Sequence, residues 1–61
     1  MKIQEIIDKI KKGEDEYFSY EHFCLDNMSD YNTMKWTIED MMSVYNITEV
    51  EAAEIVQVLT H

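Results

Sequence analysis

Isoleucine recurs at helical spacing through the first segment of the chain. The pattern is carried by Ile3, Ile6, Ile7 and Ile10. Positions i, i+3, i+4 and i+7 lie on one face of a helix, so the spacing predicts an amphipathic helix over residues 3–12. Lysines fill its last turn, where cations stabilise the helix dipole, and Gly13 follows where a left-handed residue commonly ends a helix. We therefore interpret these lysines as helix-end charges rather than as a nucleic-acid patch.

Residues 14–28 mix aromatic and polar side chains in a less regular pattern. Three acids open the segment, which suits the N-terminus of a helix. Four side chains then share one helical face, with Phe23 beside them: Tyr17, Tyr20, Cys24 and Met28. Because tyrosine, phenylalanine and cysteine also favour strands, a short strand stays open as the alternative. We predict a helix here, followed by a turn or an irregular helix start over residues 29–35.

Two similar helix starts follow, at residues 36–41 and 47–52. Each holds a threonine that can cap a helix, an acid three residues later that can reach back to it, and an apolar pair that can pack across the cap. The caps are Thr37 with Asp40 and Thr48 with Glu51, and the apolar pairs are Trp36 with Met41 and Ile47 with Ala52. They predict helices at about 38–45 and 49–60, joined by a turn through Asn46. The predicted buried stripe of the last helix is Ala52, Ile55, Val56 and Leu59.

An apolar pattern with a turn residue at its centre runs from Ile38 to Leu59. Its positions are Met41, Met42, Tyr45, Asn46, Ile47, Ala52 and Ile55. In this pattern the stretch resembles the helix-turn-helix family, which usually has a small residue in place of Met42 and glycine in place of Asn46. The resemblance implies two short packed helices whose second member presents its exposed face to the DNA major groove.

The exposed face of that second helix differs from the family in charge. Projected at 3.6 residues per turn, the residues opposite the core are Val50, Ala53, Glu54 and Gln57, with Glu51 and Val58 beside them. The helix carries no lysine or arginine, and carboxylates near phosphates weaken DNA binding. This face therefore favours contact with a protein over contact with DNA, while a merely solvated face is the alternative.

Size and charge narrow the function further. A single domain of 61 residues buries a small core, so a partner chain or an oligomer is the expected supplement. The one cysteine excludes an internal disulfide and fits a reducing cytoplasm.

No apolar run is long enough for a membrane span, and no signal-peptide pattern is present. Residues 13–61 hold eleven acids and one lysine, a balance that repels nucleic acid and attracts basic protein surfaces.

Candidate chemistry is sparse. His22, Cys24 and Asp26 alternate as metal ligands sometimes do, but residues two apart share a face only on the alternative strand. Cys24 has no base or positive neighbour that would activate it as a nucleophile. Its ordinary interpretation is a buried thiol beside a surface histidine. We expect no enzyme activity, no metal and no cofactor.

The sequence thus predicts an all-α fold, a small three- to four-helix domain over residues 1–61 with a helix-turn-helix-like C-terminal half. Its expected function is that of a cytoplasmic, acidic module that binds a protein and inhibits or regulates it. In size and composition the chain resembles the accessory proteins of phages and mobile elements. One version of the predicted function is DNA mimicry, in which the spaced carboxylates of this chain occupy a basic nucleic-acid channel of the partner. The predicted partner-binding residues are Trp36, Glu49, Val50, Glu51, Ala53, Glu54 and Gln57.

Two alternatives stay open. One is a dimeric helix-turn-helix transcriptional regulator that binds DNA and contacts phosphates through the lysines of the first helix. The other is a structural oligomerisation module. Reversing the charge of Glu51 and Glu54 separates the first alternative from the main prediction, since it should weaken a basic protein partner and strengthen DNA binding.

Overall fold

The computed structural model describes residues 2–60, and every regular element in that range is helical. In chain order the elements are α1 (Lys2–Lys12), a short 3₁₀-helix (Tyr20–Phe23), α2 (Leu25–Ser29), α3 (Tyr31–Tyr45) and α4 (Glu49–Thr60). The all-α prediction is therefore confirmed, and the alternative of a strand within residues 14–28 is wrong.

The first helix forms where the isoleucine spacing placed it. Ile6, Ile7 and Ile10 are buried, and Ile3 packs against the edge of the core. The helix ends at Gly13, whose φ of 74° lies in the left-handed region. There the Gly13 N–H donates to the Ile10 carbonyl (3.1 Å), and the Glu14 N–H donates to the Lys9 carbonyl (2.9 Å). This pair of bonds satisfies carbonyls that the last turn would otherwise leave unpaired.

Helix α4 supplies the largest share of the core. Its predicted stripe is confirmed, since the buried residues of this helix are Ala52, Ile55, Val56 and Leu59. The stripe packs against α1, α2, α3 and the 3₁₀-helix. The other members of the core are Ile6, Ile7, Ile10, Phe23, Met28, Met41, Tyr45 and Ile47. Each helix therefore turns one face toward α4.

The start of α4 has the predicted reciprocal cap. The Glu51 N–H donates to the Thr48 hydroxyl (3.2 Å), and the Thr48 N–H donates to the Glu51 carboxylate (2.9 Å). Each side chain thus satisfies a backbone donor at the helix N-terminus. Just before this cap, Asn46 takes a left-handed conformation with a φ of 56° and ends α3. The turn between the two helices is therefore three residues long, with left-handed Asn46 as its first residue.

The first predicted cap, Thr37 with Asp40, is wrong. Helix α3 begins at Tyr31, so Thr37 lies in its middle, fully buried, with its hydroxyl 2.8 Å from Nε2 of His22. Residues 29–35 were predicted as a turn or an irregular start of the third helix, and they hold the helix start, since α3 begins at Tyr31. A threonine can cap a helix or bond a distant side chain, and local spacing does not separate these two uses.

The single helix predicted for residues 14–28 is also wrong. Residues 14–19 are irregular, and the 3₁₀-helix and α2 follow as two separate short helices. Of the predicted buried face only Met28 is buried, whereas Tyr17, Tyr20 and Cys24 are exposed. The aromatic residue that enters the core is Phe23.

The Asp15 carboxylate explains the irregular segment. One of its oxygens accepts hydrogen bonds from the backbone N–H groups of Tyr17 and Phe18, each at 2.9 Å, and from the hydroxyl of Tyr45 at 2.7 Å. Aspartate that bonds its own following backbone favours a turn over a helix. Burial, this hydrogen bond and the charge of Asp15 raise the pKa of Tyr45 above its ordinary value. Asp15 therefore fastens the segment after α1 to the end of α3.

Replacing the α4 cap tests whether it stabilises the fold. Thr48→Ala removes the hydroxyl that accepts the Glu51 N–H, and we expect the free energy of unfolding to fall by about 1 kcal/mol. Urea denaturation followed by circular dichroism measures it. Glu49→Gln is the matched control because Glu49 lies in the same first turn outside the cap. An equal loss in both variants would contradict a specific contribution of the cap, because Glu49→Gln leaves the bonds between Thr48 and Glu51 in place.

The hydrogen bond between Tyr45 and Asp15 makes stability depend on alkaline pH. Because the pKa of Tyr45 is raised in the folded state, its contribution is complete below about pH 10 and falls above it, where the unfolded chain loses the phenolic proton first. Tyr45→Phe should be less stable than the wild type by about 1 kcal/mol at neutral pH and should show a shallower decline above pH ~10. Denaturation at a series of pH values, with Tyr20→Phe as the exposed control, measures both. Parallel declines in wild type and Tyr45→Phe would contradict the assignment.

Candidate functional site

An open groove of about 600 Å³ lies between α2, the first half of α3 and α4. Its lining residues are Leu25, Met28, Ser29, Met34, Ile38, Val50, Ala53, Glu54, Val56, Gln57 and Thr60. A cavity of this volume falls within the range of ligand and peptide sites in proteins. We call it the α2–α4 groove.

The lining of the α2–α4 groove is mostly apolar, and two of its hydrophobic side chains are exposed over more than half of their surface. Val50 is 78% exposed and Leu25 is 67% exposed. Both lie in the first turn of their helix, while Met34 and Ile38 of the same lining are partly buried and pack against the core. The one charged residue of the lining is Glu54. A contiguous exposed apolar surface with few charged residues is typical of a protein-contact surface.

The structure brings together four of the seven predicted partner-binding residues. Val50, Ala53, Glu54 and Gln57 line the α2–α4 groove. Glu49 lines a smaller adjoining recess, which shares Met34 and Ile38 with the groove. The prediction that these four residues of α4 lie outside the core is confirmed, since all four are exposed.

The remaining two predicted residues lie elsewhere. Glu51 is engaged in the cap with Thr48, so its carboxylate has a structural role. Trp36 lies in the middle of α3 with its ring centroid 5.2 Å from that of His22, and it lines a different recess from the groove. The predicted packing of Trp36 across a helix start is wrong because α3 has no start there.

The other seven groove residues were not predicted as a binding surface, and the partly or fully exposed apolar ones among them are Leu25, Met34 and Ile38. Leu25 and Met34 lie in segments whose helix boundaries were predicted wrongly. A signal was nevertheless present, since Met34 and Ile38 are four residues apart and therefore share a helix face. Recognising it requires the correct start of α3 at Tyr31.

The residues considered for chemistry are arranged differently from expectation. Cys24 is exposed, whereas His22 is half-buried and bonded to Thr37, the reverse of the predicted buried thiol and surface histidine. Across residues 2–60, no group of three or more histidine, cysteine or acidic side chains is placed to hold a metal ion. In the same range, no helix combines the length and the apolar character needed to cross a membrane.

Comparison with protein-family models, with curated proteins and with solved structures finds no match to this chain.

Substitution of the exposed groove residues should leave the fold intact. Val50→Gln and Leu25→Gln are each expected to change the free energy of unfolding by no more than about 0.5 kcal/mol, because neither side chain is buried. Ile55→Ala, in the fully buried stripe of α4, should instead lose about 2–5 kcal/mol. Urea denaturation of the three variants checks this contrast. A loss above about 2 kcal/mol in Val50→Gln would show that the groove belongs to the folding core.

Proposed function

We propose that this protein is a non-catalytic, acidic protein-binding module that inhibits or regulates its partner through the α2–α4 groove. The observation that supports the proposal most directly is the exposure of Leu25 and Val50 in the lining of one apolar groove. Burial of large apolar side chains against a partner removes them from water, which favours binding.

The proposed occupant is a segment of another protein that carries apolar side chains flanked by lysine or arginine. An amphipathic helix has this form, and helices commonly bind in apolar grooves of other helical proteins. Glu54 at the groove and the net charge of −8 attract a basic segment. The same charge opposes a second copy of this chain on the same face, since two such copies repel each other.

DNA mimicry is one version of this function. In that version the acidic surface occupies a basic nucleic-acid channel of the partner, as in an accessory protein of a phage or mobile element. It differs from the general proposal only in the kind of target, so identification of the bound protein distinguishes them.

A DNA-binding regulator is the second candidate, and the exposed lysines at the end of α1 are the observation that favours it. Lys9, Lys11 and Lys12 are exposed and could contact phosphates. Against it, the exposed side of α4 carries Glu49 and Glu54 and no basic residue. Phosphate contacts supply much of the affinity of DNA-binding proteins, so acids on this helix weaken the candidate.

Capture of the partner by matched variants tests the proposal. Tagged wild-type protein, Val50→Gln and Val58→Gln are incubated with nuclease-treated lysate of the native cell, and bound proteins are identified by mass spectrometry. Val58 is the control because it is also an exposed valine of α4 but does not line the groove. We expect one protein to be bound by wild type and Val58→Gln and to be at least about tenfold depleted on Val50→Gln.

The charge requirement is tested on the purified complex. Glu54→Lys should weaken binding of the captured protein, while Glu16→Lys, an equal charge change outside the groove, should have a smaller effect. Glu51 is unsuitable for this purpose since its replacement also removes the α4 cap.

Equal capture by Val50→Gln and Val58→Gln would contradict the groove as the binding site. Retention of DNA without a protein, in a parallel capture without nuclease, would contradict the proposed function and favour the regulator. In that case Glu54→Lys should strengthen the retention of DNA.

A further inference from the structure

A second recess, separate from the α2–α4 groove, lies between the second half of the irregular segment, the 3₁₀-helix and α3. Its volume is about 310 Å³, and its lining includes Tyr17, Phe18, His22, Trp36, Asp40 and Val44. Four of these six side chains are aromatic rings, and Asp40 is the charged residue among them. We call it the aromatic recess.

The rings of the aromatic recess hold one another in place. The centroid of His22 lies 5.2 Å from that of Trp36 and 5.7 Å from that of Phe18. His22 is fixed in turn by its hydrogen bond to the buried hydroxyl of Thr37 at 2.8 Å. The wall is therefore preformed, because its central ring is bonded to the core of α3. A preformed site binds with little loss of side-chain entropy.

Two of the rings are only partly covered by the protein itself. Trp36 is 44% exposed and Tyr17 is 53% exposed, although aromatic side chains gain much from burial. Tyr17 packs edge-on against Tyr45, with a centroid distance of 5.7 Å, so its position is fixed despite the exposure. The recess thus presents fixed aromatic surface to solvent.

The charges at the recess favour a cation. Aromatic faces carry negative potential, and tryptophan attracts cations most strongly. The Asp40 carboxylate adds a full negative charge to the same lining, and the net charge of −8 adds to the attraction. A weakly hydrated cation with methyl groups gains most at such a site, since it loses little hydration and contacts the rings directly.

We propose that the aromatic recess binds an alkylated ammonium group, with Trp36 and Tyr17 contacting its methyl groups and Asp40 balancing its charge. A volume of about 310 Å³ is enough for one such head group. The site is independent of the α2–α4 groove: Trp36 and Asp40 lie on the opposite flank of α3 from Ile38, since residues two apart on a helix point in nearly opposite directions. The proposal therefore stands apart from the proposed function.

The test is a titration of the isotope-labelled protein with choline, followed by nuclear magnetic resonance. Trp36 is the one tryptophan of the chain, so its indole N–H signal reports on the recess directly. We expect saturable shifts of this signal, together with upfield shifts of the choline methyl protons caused by the ring faces. The uncharged carbon analogue of choline, in which carbon replaces the nitrogen, has the same shape and should bind at least about threefold more weakly.

Matched variants test whether the carboxylate of Asp40 contributes to choline binding. Asp40→Asn should weaken choline binding at least about threefold, whereas Glu39→Gln should leave it unchanged. Glu39 is the neighbouring acid of α3, but it lines the recess beside the α2–α4 groove. Both residues are exposed, so both variants are expected to fold, and circular dichroism verifies this.

Three results would overturn the proposal: equal affinity for choline and its carbon analogue, equal weakening by Asp40→Asn and Glu39→Gln, or no saturable shift of the Trp36 signal. A peptide that contains trimethyl-lysine identifies the source of the cation. Tighter binding of the peptide than of choline supports a modified protein side chain as the natural ligand. Equal or weaker binding of the peptide supports a small molecule that carries the same group.

Discussion

The buried stripe of α4 is the constraint on which the rest of the structure depends. Among residues 2–60, α4 is the one element that contacts every other helical element, so α1, α2, α3 and the 3₁₀-helix are positioned by packing against it. Ala52 and Ile55 are fully buried at its centre, and the small side chain of Ala52 permits close approach of a neighbouring helix. A helix with one face in the core must present the other to solvent. The exposure of Val50 follows from this division.

The elements that the sequence predicted correctly are those defined by local signals. The isoleucine spacing of α1, the left-handed residues Gly13 and Asn46, and the cap between Thr48 and Glu51 each involve residues within a few positions of one another. Such signals act before tertiary contacts form, so they can be recognised without knowing the fold. The free face of α4 was predictable for the same reason.

The central third of the chain depends on bonds between distant residues, and the sequence pattern misled there. Asp15 bonds Tyr45 and His22 bonds Thr37, so the course of the irregular segment and the 3₁₀-helix is determined by α3. No local spacing indicates either pair. Thr37 shows the difficulty most clearly, since its spacing fits a cap while its environment is the core. The half of the groove contributed by α2 and α3 was missed as a result.

The groove and the acidic charge are connected by the small size of the chain. Within residues 2–60, four helical elements packed around one stripe leave Leu25 and Val50 exposed, and exposed apolar side chains promote self-association. A strong net charge of one sign opposes that self-association but also lowers the stability of the compact state. A basic partner that covered the groove would remove apolar surface from water and neutralise part of the charge together. Because such a partner binds the folded state alone, it would also stabilise the fold, so binding and folding of this chain would be thermodynamically linked.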